Sequence, residues 1–445
     1  MSSGFNLNIN LKRLGNIFRS LRYRNYRLYF AGQSVSLIGT WIQRIALPWL
    51  VYRLTDSPFM LGVVAFASQI PTLFIAPFAG VLVDRWNRYY MLITTQVLLM
   101  IQAVILTVIF FTEVIKIWHI VLLGTFVGFV NAFDMPTRQS LVVDLVEDRD
   151  DLGNAIALNS SMVNSARLIG PSIAGVIIAV TNEGVCFLLN AVSYFFVIVS
   201  LLFMRIPIRI RKSTKSQPFK EFKEGFKYVF GFPPIRAIIL MLALMSFMGM
   251  SYTVLMPVFA KEVLHGGSHT YGFLMGASGV GALIGALYLA SRKNITGLWK
   301  IVPMSAAIFG CGLVIFSLTR TLYFSIMLMF AAGLGMIMQM ASSNTIIQTM
   351  IDDDKRGRVM SFYIIAFIGT APFGSLLAGG LAKIIGAPYT IMIGGIACIL
   401  GATVFTRKLS GLKKLVRPIY VKLGIIPEVA SGIQSATELT LPPEK

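Results

Sequence analysis

The sequence predicts an all-α polytopic membrane protein, with twelve transmembrane helices in two pseudo-symmetric halves of six. Three observations carry this. Hydrophobic residues make up 56% of the 445 and charged residues only 13%, with a mean hydropathy of +0.75; ordinary soluble domains are roughly 45–50% apolar and about a quarter charged. Apolar runs of the ~20 residues that a helix needs to cross a ~30 Å hydrocarbon core recur from Tyr26 almost to Thr406. The longest polar interruption, Arg205 to Pro234, leaves six such runs on each side.

Residues 1–26 form a basic N-terminal segment, polar and without an apolar h-region, so no cleavable signal peptide is expected. Phe18 to Tyr29 is expected to lie along the interface before turning into the first span. Runs bounded by charge, Gly, Pro or Asn place helices at about 27–53, 58–83, 89–111, 118–142, 153–180 and 184–204, which form the N-terminal half, 27–204. In the central loop, 205–234, Phe219, Phe222, Phe226 and Phe230 recur at helical spacing with Lys220, Lys223 and Lys227 between them. That is the pattern of an amphipathic helix lying on the membrane surface. The C-terminal half, 235–406, has helices at about 235–261, 270–291, 299–319, 322–349, 357–382 and 387–406. The basic tail, 407–445, is less apolar, and its last dozen residues are expected to be disordered.

The net charge of +20 sits in loops rather than on a solvated face, so no nucleic-acid partner is expected. It reads as topology instead. Basic residues collect before the first span (Lys12 through Arg27), in the central loop and after the last span (Arg407 through Lys422), which the positive-inside rule places in the cytoplasm. The opposite loops carry only Arg53, Lys116, Lys261, Arg320 and Lys383. Both termini are therefore expected on the cytoplasmic side, and the excess positive charge would meet the anionic lipids of the inner leaflet. Cys186, Cys311 and Cys398 each fall inside an apolar run, so no disulfide, metal site or cofactor is expected.

The halves resemble each other. Leu47-Pro48-Trp49 ends the first span, and Met256-Pro257-Val258 ends the seventh, about 209 residues later. The acidic turn Glu147 to Asp151 after the fourth span has its counterpart in Asp352 to Arg356 after the tenth.

The loop after the second span, Gly80-x-x-x-Asp84-Arg85-x-x-Arg88, resembles the loop motif of major facilitator transporters. The resemblance implies a cytoplasmic latch that holds the outward-facing state, the carboxylate facing a helix end of the other half while the arginines pair with acids. In the fifth span, Ala166-Arg167-Leu-Ile-Gly170-Pro171-Ser-Ile-Ala174-Gly175 resembles the antiporter motif of facilitator exporters, with Ala174 where Gly is usual. Ala166, Gly170 and Ala174 form a smooth stripe for close helix packing, and Pro171 frees the carbonyl of Arg167. The stretches Phe18 to Arg27, Ser36 to Ala46 and Asp134-Met-Pro136-Thr-Arg138-Gln139 look like the subgroup of enterobactin-type siderophore exporters and macrolide efflux pumps. The similarity runs from about Phe18 to Arg407 and implies a multi-pass protein of a bacterial inner membrane. Two departures stand out. Gly124 replaces the Arg that usually precedes Gly128 in the fourth span, and the loop after the eighth span, Gly285 to Lys293, lacks the Asp of the motif.

Ionisable residues inside the first-half spans reduce to Arg44, Asp134 and Arg167, with Arg138 nearer the cytoplasmic end, and each should face the bundle interior. At ~1.5 Å per residue, Arg44 lies ~14 Å and Arg167 ~20 Å below the outer ends of their spans. One reading makes the two arginines cationic contacts for an acidic or phenolic substrate, with Asp134 as the protonatable coupling group. The other pairs Asp134 permanently with Arg138 and gives Arg44 to backbone carbonyls. Gln33, Gln43, Gln69, Asn131 and Asn164 add polar surface in the first half. In the second, Gln339 and Asn344 stand among Met336, Met338 and Met340, thioethers that suit a variable apolar ligand.

No Gly-x-x-x-x-Gly-Lys-Ser/Thr loop and no catalytic triad or His cluster is present, so neither an ATP-driven pump nor an enzyme is expected. The expectation is a monomeric secondary exporter of a small amphipathic molecule, siderophore-like or macrolide-like, driven by protons. The alternative is a flippase for lysophospholipids or other lipids on the same fold, with a sensor or scaffold that has lost transport as a third possibility.

Overall fold

The computed structural model describes residues 18–205, 218–292, 297–423 and 425. Six helices build the first half: α1 (Arg24–Thr55), α2 (Pro58–Arg85), α3 (Arg88–Phe111), α4 (Ile117–Asp144), α5 (Leu152–Val180) and α6 (Glu183–Leu202). The amphipathic α7 (Pro218–Gly231) comes next. The second half contains α8 (Pro233–Val263), α9 (Ser268–Ala290), α10 (Leu298–Leu318), α11 (Leu322–Met350), α12 (Lys355–Ile385) and α13 (Ala387–Lys422). Among the described residues, eleven helices are long and apolar enough to cross a membrane. The twelfth long helix, α1, has 32 residues, a length of ~48 Å, but carries Arg24, Arg27, Arg44 and Arg53 along it.

Within the first half α1 packs on α5 and α6, α2 on α4, and α3 on α4 and α6; in the second α11 packs on α9 and α10, and α10 on α13. The halves meet along two helix pairs, α2 with α12 and α5 with α9. Counting spans, these are second with eleventh and fifth with eighth, the pairing that a two-fold axis between six-helix halves demands. Glycine permits the approach at both. A Cβ at Gly175 would stand 2.8 Å from the Ser268 carbonyl oxygen, and one at Gly62 would stand 2.7 Å from that of Ser375.

One end of the bundle is clamped across the halves. Tyr52 donates to Glu262, Lys261 pairs with Asp56 at 2.6 Å, and Trp49 stacks on Tyr271 with ring centroids 6.1 Å apart. Further in, Phe66 meets Phe373 edge-on at 5.6 Å. Toward the other end, which carries Arg19, Arg22, Arg88 and Arg205, α5 exposes Ile156, Ala157, Ser160 and Ser161.

Three π-helical turns interrupt the second half, Met245–Gly249 and Phe259–Val263 in α8 and Ile365–Gly369 in α12. Two of them are tied together: Ser246 Oγ donates to the Phe367 carbonyl, and Thr370 Oγ1 to that of Ala243 at 3.4 Å. Such turns leave backbone carbonyls short of donors, and the hydroxyls supply them.

The structure corrects two expectations at the ends. Phe18 to Tyr29 does not form one segment ahead of the first span. Arg19–Arg22 forms a 3₁₀ turn strapped to the α4–α5 loop, where Ser20 Oγ donates to the Asp151 carbonyl at 3.0 Å and Arg22 pairs with the Asp151 carboxylate at 2.7 Å. The hydrogen bond with Tyr23, then the carboxylates of Asp151 and Asp148, push the Arg22 guanidinium above its ordinary pKa despite some desolvation. Helix α1 begins at Arg24, with Tyr26 and Tyr29 fully buried. The acidic turn attracts the arginines, and two tyrosines in the core anchor the first turns of α1.

The last helix continues to Lys422 rather than ending near residue 406. Leu412, Val416 and Tyr420, four apart, are all buried, and Trp299 Nε1 donates to the Tyr420 hydroxyl at 3.1 Å. Truncating Leu412 to Ala should therefore cost about 2–5 kcal/mol, the range for a buried Leu, and lower the melting temperature of the detergent-purified chain. An unchanged melting point would mean that the extension contributes nothing. Helix α7 forms where the phenylalanine spacing placed it and docks on α12, with Arg358 to Glu224 at 2.8 Å and Phe226 beside Phe362. The side chains of Phe219 and Phe222 and the tail beyond 425 lie outside the described residues.

Candidate functional site

The polar residues of the first half divide into a sealed seam and an accessible centre. In the seam, between α3 and α4, Asp134 is 2% exposed. It accepts from Thr95 Oγ1 at 2.8 Å, Gln96 Nε2 at 2.7 Å, and Arg138 one turn along its own helix. Three donors on one carboxylate compensate for its removal from water. Gln33, one turn beyond Tyr29 on α1, is fully buried, and neither its amide atoms nor the Tyr29 hydroxyl nor Arg138 Nε has a partner among the described residues. Gln43 is held at both amide atoms, donating to Gln102 at 3.2 Å and accepting from Asn190 at 2.8 Å. Sequence reasoning misses Thr95, Gln96 and Gln102, although three polar side chains in the run from Tyr89 to Phe111 are a signal.

The accessible centre is cationic. Arg44 on α1 is exposed and Arg167 on α5 is half-buried. The Arg44 guanidinium carbon lies 5.0 Å from the centroid of the Trp41 ring, and that of Arg167 lies 5.9 Å from the same ring. The two charges are at most about 11 Å apart, and at an effective dielectric of ~20 they repel by at least about 1.5 kcal/mol. Among the described residues neither forms an ion pair with a carboxylate. Arg167 instead reaches across the halves to the sulfur of Met336, 4.0 Å away.

The antiporter-like motif builds this centre. A Cβ at Gly170 would overlap the Trp41 Cβ, so only glycine lets α5 lie this close to α1 at Trp41, with Arg167, one turn earlier, near the indole. Pro171 and Gly175 face α9: the Pro171 carbonyl lies against Gly272, and Ser268 Oγ donates to the Gly175 carbonyl at 3.2 Å.

The remaining candidates are dispersed. Gln69 and Asn164 donate to carbonyls of their own helices, Ala65 and Ser160. Asn131 is half-buried. Gln339, 1% exposed, donates to Ser343, and Asn344 accepts from Gln348 at 2.7 Å. Of the latch motif, the side chains of Asp84 and Arg85 and the surroundings of Gly80 lie outside the described residues. Arg88 pairs with Asp144 at 2.9 Å within its own half, behind an Asn87 side chain that caps α3 by accepting from Tyr89 N.

Comparison with known proteins places this geometry. The family model described as transmembrane secretion effector matches residues 16–415. The chain is 29% identical to the staphyloferrin A transporter of Staphylococcus aureus over 389 residues, 85% of this chain and 95% of that one. It is 23% identical to macrolide efflux protein A of Streptococcus pyogenes, over 85% of this chain and 96% of the relative. A crystal structure of the peptide transporter POT superposes with a TM-score of 0.71, covering 88% of this chain and 95% of that chain at 11% identity, a likeness of fold.

Proposed function

The chain belongs to the transmembrane secretion effector family of major facilitator transporters, and on that premise we propose that it is a proton-driven exporter of a small amphipathic molecule, siderophore-like or drug-like. It works as a monomer in a bacterial inner membrane, with the basic end of the bundle and both termini in the cytoplasm. In that orientation the clamped end faces outward, as an inward-open state requires. The observation that carries the reading is the pair of guanidiniums at Trp41, one of them reaching Met336 of the other half, in a bundle clamped at the far end. Alternating access then consists of breaking the Tyr52–Glu262 and Asp56–Lys261 contacts while the halves rock about the buried site.

Proton coupling falls to Asp134, a carboxylate buried in the middle of α4. Taking up a proton there requires the bond to Arg138 to open during the cycle. Gly80, Asp84, Arg85 and Arg88 supply the cytoplasmic latch of the opposite state.

The test is proton-driven uptake into inverted vesicles, which reports export, with siderophores and macrolides as cargo. Asp134→Asn is expected to abolish dependence on the gradient, and Arg167→Ala to reduce transport at least tenfold. Undiminished gradient-dependent transport in both variants would remove the proposed roles, and lipid flipping without solute transport would favour the flippase.

A further inference from the structure

We propose that Arg44 and Arg167, both beside Trp41, form a binding site for a small molecule that carries two or more carboxylates. The proposal deepens the exporter reading by naming a cargo class, and rests on it only for the direction of movement.

The charge balance is the first ground. Two guanidiniums share one indole, and neither forms an ion pair among the described residues. The described buried carboxylates of the half are all taken: Asp134 by Thr95, Gln96 and Arg138, Asp151 by Arg22, and Glu183 by Arg53. Unpaired charge within a membrane bundle is costly, and an indole face compensates a guanidinium only in part. A dianion supplies what the protein omits.

Geometry narrows the ligand. Each guanidinium presents parallel donors that match one carboxylate in a bidentate pair, and the planar fork is what arginine offers over lysine. With the two centres no more than about 11 Å apart, one small molecule with acids a few bonds apart can reach both. A monocarboxylate leaves one centre unmatched. A cationic amphiphile meets two like charges. Trp41 offers a flat apolar surface beside both centres, and the Met336 sulfur, 4.0 Å from Arg167, supplies a soft wall from the other half. A ligand bridging Arg44 and Arg167 beside Met336 would therefore contact both halves.

The site also has a built-in sign of function over stability. A residue retained for folding should weaken the fold when lost, whereas removing an uncompensated charge should not. Apo Arg44→Gln is accordingly expected to melt at or above the parental temperature.

The experiment is calorimetric titration of the purified full chain in detergent with tricarballylate, butyrate, inorganic phosphate and erythromycin, at fixed low salt. Tricarballylate should bind saturably and at least tenfold more tightly than butyrate or phosphate. Arg44→Gln and Arg167→Gln should each weaken it at least tenfold, with Arg44→Lys intermediate, and all variants should elute as monodisperse protein. Equal binding of butyrate or phosphate, preference for erythromycin, or unchanged affinity in both Gln variants would overturn the proposal. Proton-driven inverted vesicles separate the two readings. Erythromycin transport indifferent to Arg44→Gln would leave the exporter standing and remove the polycarboxylate site. Arginine-dependent tricarballylate binding with no gradient-driven movement of any cargo would do the reverse.

Discussion

Replacing Asp134 with alanine is expected to destabilise the chain by about 3–5 kcal/mol, the cost of removing one partner of a buried ion pair. Asp134 is 2% exposed, and Arg138, whose side chain is 20% exposed, would be left facing no carboxylate. Thr95 and Gln96 would lose their acceptor at the same stroke. The double variant Asp134→Asn with Arg138→Gln keeps donors and acceptors in place without charge and should recover most of the loss. A double-mutant cycle on thermal unfolding in detergent should then give a coupling energy of about 3 kcal/mol, the upper end for residues in contact. Additive effects would show that the pair is not a structural unit. The same double variant separates fold from mechanism: it should be stable yet show no gradient-dependent transport if Asp134 carries the proton, and normal coupling if it does not.

The spans are legible in the sequence because charge, Gly, Pro and Asn bound the apolar runs, and most helix ends fall within a few residues of those boundaries. The exception is α13. Its continuation to Lys422 is hidden by the basic residues from Arg407 to Lys422, although Leu412, Val416 and Tyr420 stand four apart on one face. The π turns at Met245–Gly249 and Ile365–Gly369 leave no sequence signal, since they arise from helices adjusting to each other through Ser246 and Thr370. In the candidate site, Arg44, Arg167 and Asp134 are visible because a charge in an apolar run is expensive. Trp41 is not, because an indole in such a run costs nothing. What makes it the centre, its place beside two guanidiniums and against Gly170, exists only in three dimensions.

Enlarging Gly379 to leucine is expected to open the clamped end of the bundle and reduce transport by at least tenfold without unfolding the chain. A Cβ there would lie 2.7 Å from the Pro58 carbonyl oxygen and 3.0 Å from the Gly62 Cα, both backbone atoms that no rotamer change can move. The side chain therefore forces α2 and α12 apart where they hold the halves together. Overpacking of this kind costs about 1–3 kcal/mol, and because each 1.4 kcal/mol is tenfold in an equilibrium, the middle of that range should shift the open-to-closed ratio at that end by more than about tenfold. Spin labels on cysteines placed at Ser57 and His265, with Cys311 replaced by serine, should report the widening as a longer inter-label distance. The adjacent Gly380 provides the control, since a Cβ there meets nothing within 4 Å, and Gly380→Leu should leave both distance and transport unchanged. If the two neighbours behave alike, the effect belongs to bulk in α12 and not to the clamp. If Gly379→Leu leaves the distance unaltered while transport falls, the halves do not move about this contact and the alternating-access assignment of the clamp is lost.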